Sequence, residues 1–348
     1  MRSAIPSDNG WDALRLGAAL MVLVSHQFVL LGQPQPSVLG CNTLGGLGVA
    51  VFFLLSGGLI WQSWARDPHL GRFVLRRALR LWPALAGVVL LSMCVLGPAL
   101  STLSLRDYAQ SRETWRYLGT AVLAIQYQLP GLFDALPFAG VVNGSIWTLP
   151  VEAVCYLALA GLGLLGFPRR APLLALAGLL LALPYGALVL GQGYAAHVEL
   201  VSLFAWGMGY AIWRNLPARQ RAVGAGWALA VLVLDVARAP RGLERAVILL
   251  LAALLIAATA HWPAAARVTR RVGDLSYGTY LYAFPVQQTV IAMTQDQRWP
   301  MAWQMAASVG LTLALAALSW HLLEAPALAH KPTRPSTGGA HPASVYAA

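Results

Sequence analysis

Charge is what this chain has least of. Only 11% of its 348 residues are charged, where soluble domains carry about a quarter. That shortage excludes an ordinary soluble domain. Lysine is almost absent: Lys331 stands alone against 23 arginines, which set the net charge of +11. The arginines occur singly or in short groups between apolar runs. This is the positive-inside pattern of a membrane protein, and it excludes a continuous basic groove for nucleic acid. Cysteine is also scarce. Cys41, Cys94 and Cys155 are odd in number and lack C-x-x-C spacing, so neither a disulfide framework nor a metal cluster is implied. Cys94 and Cys155 fall in apolar stretches and read as small hydrophobic residues.

What the chain has is apolar length: 58% of it is hydrophobic. The first run, WDALRLGAALMVLVSHQFVLLG (residues 11–32), is long enough to cross a bilayer as a helix. It is longer than a signal-peptide core and holds an arginine, so it reads as a first span. A Pro/Gly-rich loop over 33–44 leads to GGLGVAVFFLLSGGLIWQSW (45–64), rich in small residues that permit close helix packing. A cationic segment, 66–80, precedes a third span that ends near 100. Further spans are expected over 143–167, 172–191, 198–213, 222–236, 244–260, 275–294 and 301–323. Residues 117–129 are too short for a span and read as a re-entrant or interfacial helix.

The expected fold is all-α: about ten transmembrane helices in one domain over residues 1–330, with a disordered cytoplasmic tail from 331 to 348. Charge supports ten. If residues 117–129 do not cross, one side collects sixteen Lys and Arg and the other seven; if they cross, the tally becomes ten against thirteen. The positive-inside rule therefore places both termini in the cytoplasm, which suits a bacterial inner membrane.

Ionisable groups inside such helices are costly and point to a site by default. Arg15 and His26 are 11 residues apart, which returns to one face of a helix with an axial separation of roughly 16 Å. In this topology Arg15 lies near the cytoplasmic surface and His26 in the outer half. The span after Asn143 runs inward from Thr148, a plausible N-cap, which puts Glu152 about one turn below the outer surface. His26 and Glu152 thus fall at similar depth, where a carboxylate can orient an imidazole that activates a hydroxyl. A helix-terminal carboxylate without that contact is the plainer alternative. Arg76, Arg77 and Arg80 share helical faces, as phosphate ligands do, although such clusters also serve as topology anchors. Tyr277 and Tyr280 share a face near one end of the 275–294 span, where an interfacial aromatic belt is the simpler reading. Asp274, Glu199, and His321 with Glu324, sit near span ends and read as solvated or capping groups; His261 reads as interfacial.

Taken in order, these stretches resemble the bacterial acyltransferase 3 family of integral membrane acyltransferases. The resemblance runs from about residue 9 to 326. It rests on R-x10-H (Arg15, His26), FFLLSGGL (52–59), R-x-x-R-x-x-P (Arg77, Arg80, Pro83), SIWTLPVE (145–152), SYGTYLYAFP (276–285) and a closing E-x-P (Glu324, Pro326). Two positions depart from the pattern. Ala283 stands where many members have histidine, and Gly58 replaces the usual aromatic after Ser-Gly. The resemblance implies transfer of an acyl group, often acetyl, from cytoplasmic acyl-CoA to a hydroxyl of a cell-envelope or lipid-linked glycan.

On that reading Arg15, Arg77 and Arg80, with Arg76, hold the phosphate-rich end of coenzyme A, and Tyr277 and Tyr280 belong to the donor site. His26 is then the general base or a transient acyl carrier, and Glu152 orients it. Acetyl-CoA is the expected donor, as a substrate rather than a resident cofactor, and no metal is expected. The alternative class is a multi-span transporter of a small anionic solute or a lipid-linked sugar, against which the lack of an internal repeat counts.

Overall fold

The computed structural model describes residues 10–167, 195–238, 241–260, 262 and 272–332. The span expected over 172–191, His261, and the tail beyond residue 332 lie outside the described residues.

The described chain is helical, as its apolar runs dictate. The long helices are α1 (Trp11–Leu30), α2 (Leu44–Arg66), α3 (Leu70–Leu91), α4 (Thr148–Leu164), α5 (Ala195–Trp213), α6 (Ala218–Arg238), α7 (Gly242–Thr259), α8 (Ser276–Thr294) and α9 (Met301–Ser319). Helices α3 and α9 continue through five-residue π turns at Ser92–Leu96 and Trp320–Glu324. Eight of these helical stretches are long and apolar enough to cross a membrane. Helix α8 is the ninth long helix and falls outside that set.

Residues 117–129 do not form the continuous helix expected of them. Tyr117–Val122 makes a six-residue 3-10 turn that stops at Leu123, whose backbone is left-handed (φ 65°). The Thr120 hydroxyl oxygen then accepts the Gln126 N–H at 2.9 Å, and Pro130 follows. A side chain that satisfies the backbone locally competes with a helix ladder. The Pro/Gly-rich loop likewise holds a minimal hairpin, β1 (Ser37–Val38) against β2 (Asn42–Thr43).

Contacts divide the chain into two compact units. The first takes in described residues of Met1–Val49, Ala78–Leu149 and Leu254–His330. Its centre is α8, sixteen of whose nineteen residues are buried. Helices α1 and α8 run parallel. Arg15 near the start of α1 meets Asp274 just before α8, and further along Gln287 donates to the Leu23 carbonyl (2.9 Å) and to Gln27 Oε1 (2.8 Å). Pro285 lacks an N–H and therefore orphans the Leu281 carbonyl one turn back. Asn143 supplies the missing donor at 2.9 Å, and its own Oδ1 accepts the Ser145 N–H. The N-G-S and Y-A-F-P motifs are thus two halves of one hydrogen-bonded repair.

The second unit takes in described residues of Ala50–Arg77 and Pro150–Ala253. Here α2 and α5 meet backbone to backbone. A Cβ on Gly57 would collide with the Phe204 carbonyl, and one on Gly207 with the Leu54 carbonyl, so both positions need glycine. Gly58 faces the Gly207 carbonyl and Ala211.

Candidate functional site

The first unit gathers five of the expected residues with unexpected partners: Arg15, His26, Tyr277 and Tyr280 along one seam between α1 and α8, and Arg80 from α3 at its end. At its charged end Asp274 Oδ2 lies 2.6 Å from Arg80 and 3.5 Å from Arg15. Glu324, almost fully buried, stands 3.8 Å from Arg80, and Asp12 lies 3.5 Å from Arg15. Burial pushes the Asp274 carboxyl up, but the Arg80 and Arg15 guanidiniums and hydrogen bonds from Ser276 outweigh it and hold the group at about 2. Asp274 does cap α8, through the Ser276 N–H and hydroxyl, but it is not the solvated group expected. Glu324 is likewise buried, while its expected companion His321 is exposed.

Tyr277 and Tyr280 are buried rather than set in an interfacial belt. The Tyr277 ring lies under the Arg80 guanidinium, 5.6 Å from centroid to charge, and its hydroxyl donates to the Leu81 carbonyl. Three residues on, the Tyr280 hydroxyl donates to the Ser145 carbonyl at 2.7 Å. Its single proton is then committed, so the Thr148 hydroxyl, 2.8 Å away, donates to it. Thr148 has helical backbone angles and is not the N-cap expected of it; the helical segment starts after Gly144, with the Ser145 N–H donating to Asn143 Oδ1.

At the far end stands His26. Its Nδ1 is 3.4 Å from Ser145 Oγ, and its ring meets Phe284 edge to face at 5.3 Å. Gly144 makes this possible, since a Cβ there would lie 2.7 Å from the Phe284 ring. His26 is half-buried, so the imidazole is held on two sides and still open at an edge. With its proton on Nδ1, donated to Ser145 Oγ, the ring keeps the Nε2 lone pair free.

The second unit holds Arg76, Arg77 and Glu152. Asp67 in the α2–α3 turn takes two bonds from Arg72 (2.6 and 2.9 Å) and one from Arg76 (2.7 Å). Those bonds hold its carboxyl far below the usual range. Arg77 stands 6.0 Å over the Tyr156 ring, and Tyr156 donates to Glu152 one turn away on α4.

Sequence reasoning passed over Ser145, Asn143, Gln287 and Gln288 and undervalued Asp274. The usable signal was polarity: four polar side chains within one buried helix and its facing loop demand partners.

The sequence matches the model of the acyltransferase domain family, acyltransferase 3, over residues 8–321. An O-acetyl transferase of Shigella phage Sf6 is 28% identical over 334 residues, covering 91% of this chain and 95% of that protein. Nodulation protein 10 of Rhizobium leguminosarum bv. viciae is 30% identical over 362 residues, covering 92% and 93%. No solved structure matches significantly. With apolar helices of membrane-spanning length and a family match over most of its sequence, the chain belongs to the acyltransferase 3 family and is a membrane acyltransferase.

Proposed function

We propose that this enzyme transfers an acyl group, acetyl in the first instance, from cytoplasmic acyl-CoA to a hydroxyl of a cell-envelope glycan or glycolipid. The observation that carries the reading is the seam itself. Two parallel helices align Arg15, joined to Arg80 of α3 through Asp274, at one end with the His26 imidazole at the other. The printed name of the phage relative supports oxygen as the accepting atom and acetyl as the group.

On this reading the Arg15–Arg80 end, with the Tyr277 face beside it, receives the donor phosphates. Asp274 holds both guanidiniums in place, a second layer beneath them. Arg77 is the further donor contact, with Tyr280 positioning the seam between the two ends. Arg76, with two bonds to Asp67, is the weakest member of the set. Glu152 is assigned the orienting role by its place in the SIWTLPVE motif, and Tyr156 fixes its carboxylate.

At His26 the acceptor O–H gives its proton to Nε2 as its oxygen attacks the thioester carbonyl. The C–S bond breaks, and the departing coenzyme A thiolate takes the proton back from the imidazolium. Atoms and charges balance, and His26 returns to its starting state.

The test is mass spectrometry of cell-envelope glycans and lipids from cells expressing the wild-type chain or His26→Ala at equal membrane levels. Wild type is expected to add an acetyl mass that the variant does not. The same mass in both, or in neither, contradicts the reading.

A further inference from the structure

A cleft of about 570 Å³ opens in the first unit, in the irregular segment that replaced the expected short helix. Its lining includes Gln126, Tyr127, Gln128 and Trp147, together with Glu113 and Arg116. Its inner end is taken as the part of the lining nearest the candidate base, at Gly144. Gly144, which lines the cleft, is bonded to Ser145, whose Oγ is 3.4 Å from His26 Nδ1. Phe138, also in the lining, meets Phe284 edge on at 6.1 Å, and Phe284 meets His26.

The loop is irregular but fixed. The Tyr127 carbonyl accepts from Val142 N–H at 2.7 Å. The buried Gln288 amide of α8 donates to the Phe138 and Val141 carbonyls at 2.8 and 3.0 Å. The loop is therefore tied to the same helix that carries the seam, which suits a site that must present a ligand at a set distance.

The lining chemistry is specific. Glutamine amides offer donors and acceptors together and so match hydroxyl groups, which are both. Tyr and Trp rings offer flat apolar faces with a polar handle. One glutamate beside one arginine gives no net charge, which suits neither a polyphosphate nor a polyanion. The volume falls in the range of small-ligand sites. We infer that this cleft is the acceptor site and holds one uncharged, pyranose-sized sugar ring, with a hydroxyl directed through the inner end at His26. The inference rests on the reading of His26 as the base.

The test uses the full chain in nanodiscs, with Cys41→Ala and Cys94→Ala removing the accessible thiols and Gln128→Cys introducing one in the cleft. Maleimide labelling is timed with and without methyl glucoside, galactoside, rhamnoside or N-acetylglucosaminide. At least one glycoside should slow labelling several-fold, following 1 + [L]/Kd, and Trp147→Ala should abolish that protection. A thiol from Leu105→Cys, on the exposed short helix Leu105–Gln110, should label at one rate throughout. Protection no better than with glycerol overturns the inference even if acyl transfer is intact. Protection by coenzyme A in place of sugars also overturns it. Transfer retained by His26→Ala instead overturns the underlying reading, and the labelling result is independent of that outcome.

Discussion

Helices α6 and α8 are alike in length and opposite in use. Helix α6 exposes Val223, Trp227, Leu229, Val233 and Leu234, and buries little beyond Val231. Helix α8 falls outside the eight apolar stretches of spanning length yet hides nearly all of its surface. In a bilayer the hydrocarbon takes the apolar faces and the protein interior takes the polar ones. Mean hydropathy marks eight stretches of spanning length and leaves out the helix that builds the site.

The comparison breaks most sharply at the ion cluster. Arg80→Ala takes from Asp274 its nearer guanidinium and from buried Glu324 its arginine neighbour, and should destabilise the detergent-solubilised protein by about 3 kcal/mol in thermal unfolding. Leu229→Ala on α6 should stay within about 0.5 kcal/mol, because it empties no packed site. Equal losses would contradict the contrast. Asn143→Ala leaves the Leu281 carbonyl beneath Pro285 without a donor and should cost about 1–3 kcal/mol. The double change Asn143→Ala with Pro285→Ala should recover part of that loss, since the helix N–H returns. Tyr280→Phe removes one hydroxyl from the Thr148–Ser145 chain and should cost about 1 kcal/mol.

A further effect is read only in acid. Asp274 is depressed in the folded protein, so its contribution is complete above the ordinary carboxylate range, near 3.8, and fades as pH falls towards 2. Acid titration of wild type against Asp274→Asn should show this component only in wild type, and an identical acid limb would remove it.

Much of this was legible. Apolar length gave the helices, and the R-x10-H spacing placed Arg15 and His26 on one seam. What escaped was partnership. Asp274 looked like a cap because its two arginines come from α1 and α3, 259 and 194 positions away in sequence. Tyr277 and Tyr280 looked interfacial because a helix wheel shows a shared face but not what covers it. Residues 117–129 looked helical because composition does not show Thr120 bonding back to Gln126. Short-range pattern specifies elements, whereas a buried polar site is specified by contacts made across the fold.

The most direct test of the seam as the active site is acyl transfer by purified wild type and His26→Ala in nanodiscs, with radiolabelled acetyl-CoA as donor and a cell-envelope extract as acceptor. Removal of a general base should lower turnover by about 100-fold or more, with the unfolding temperature retained. Turnover within a few-fold of wild type would contradict the account.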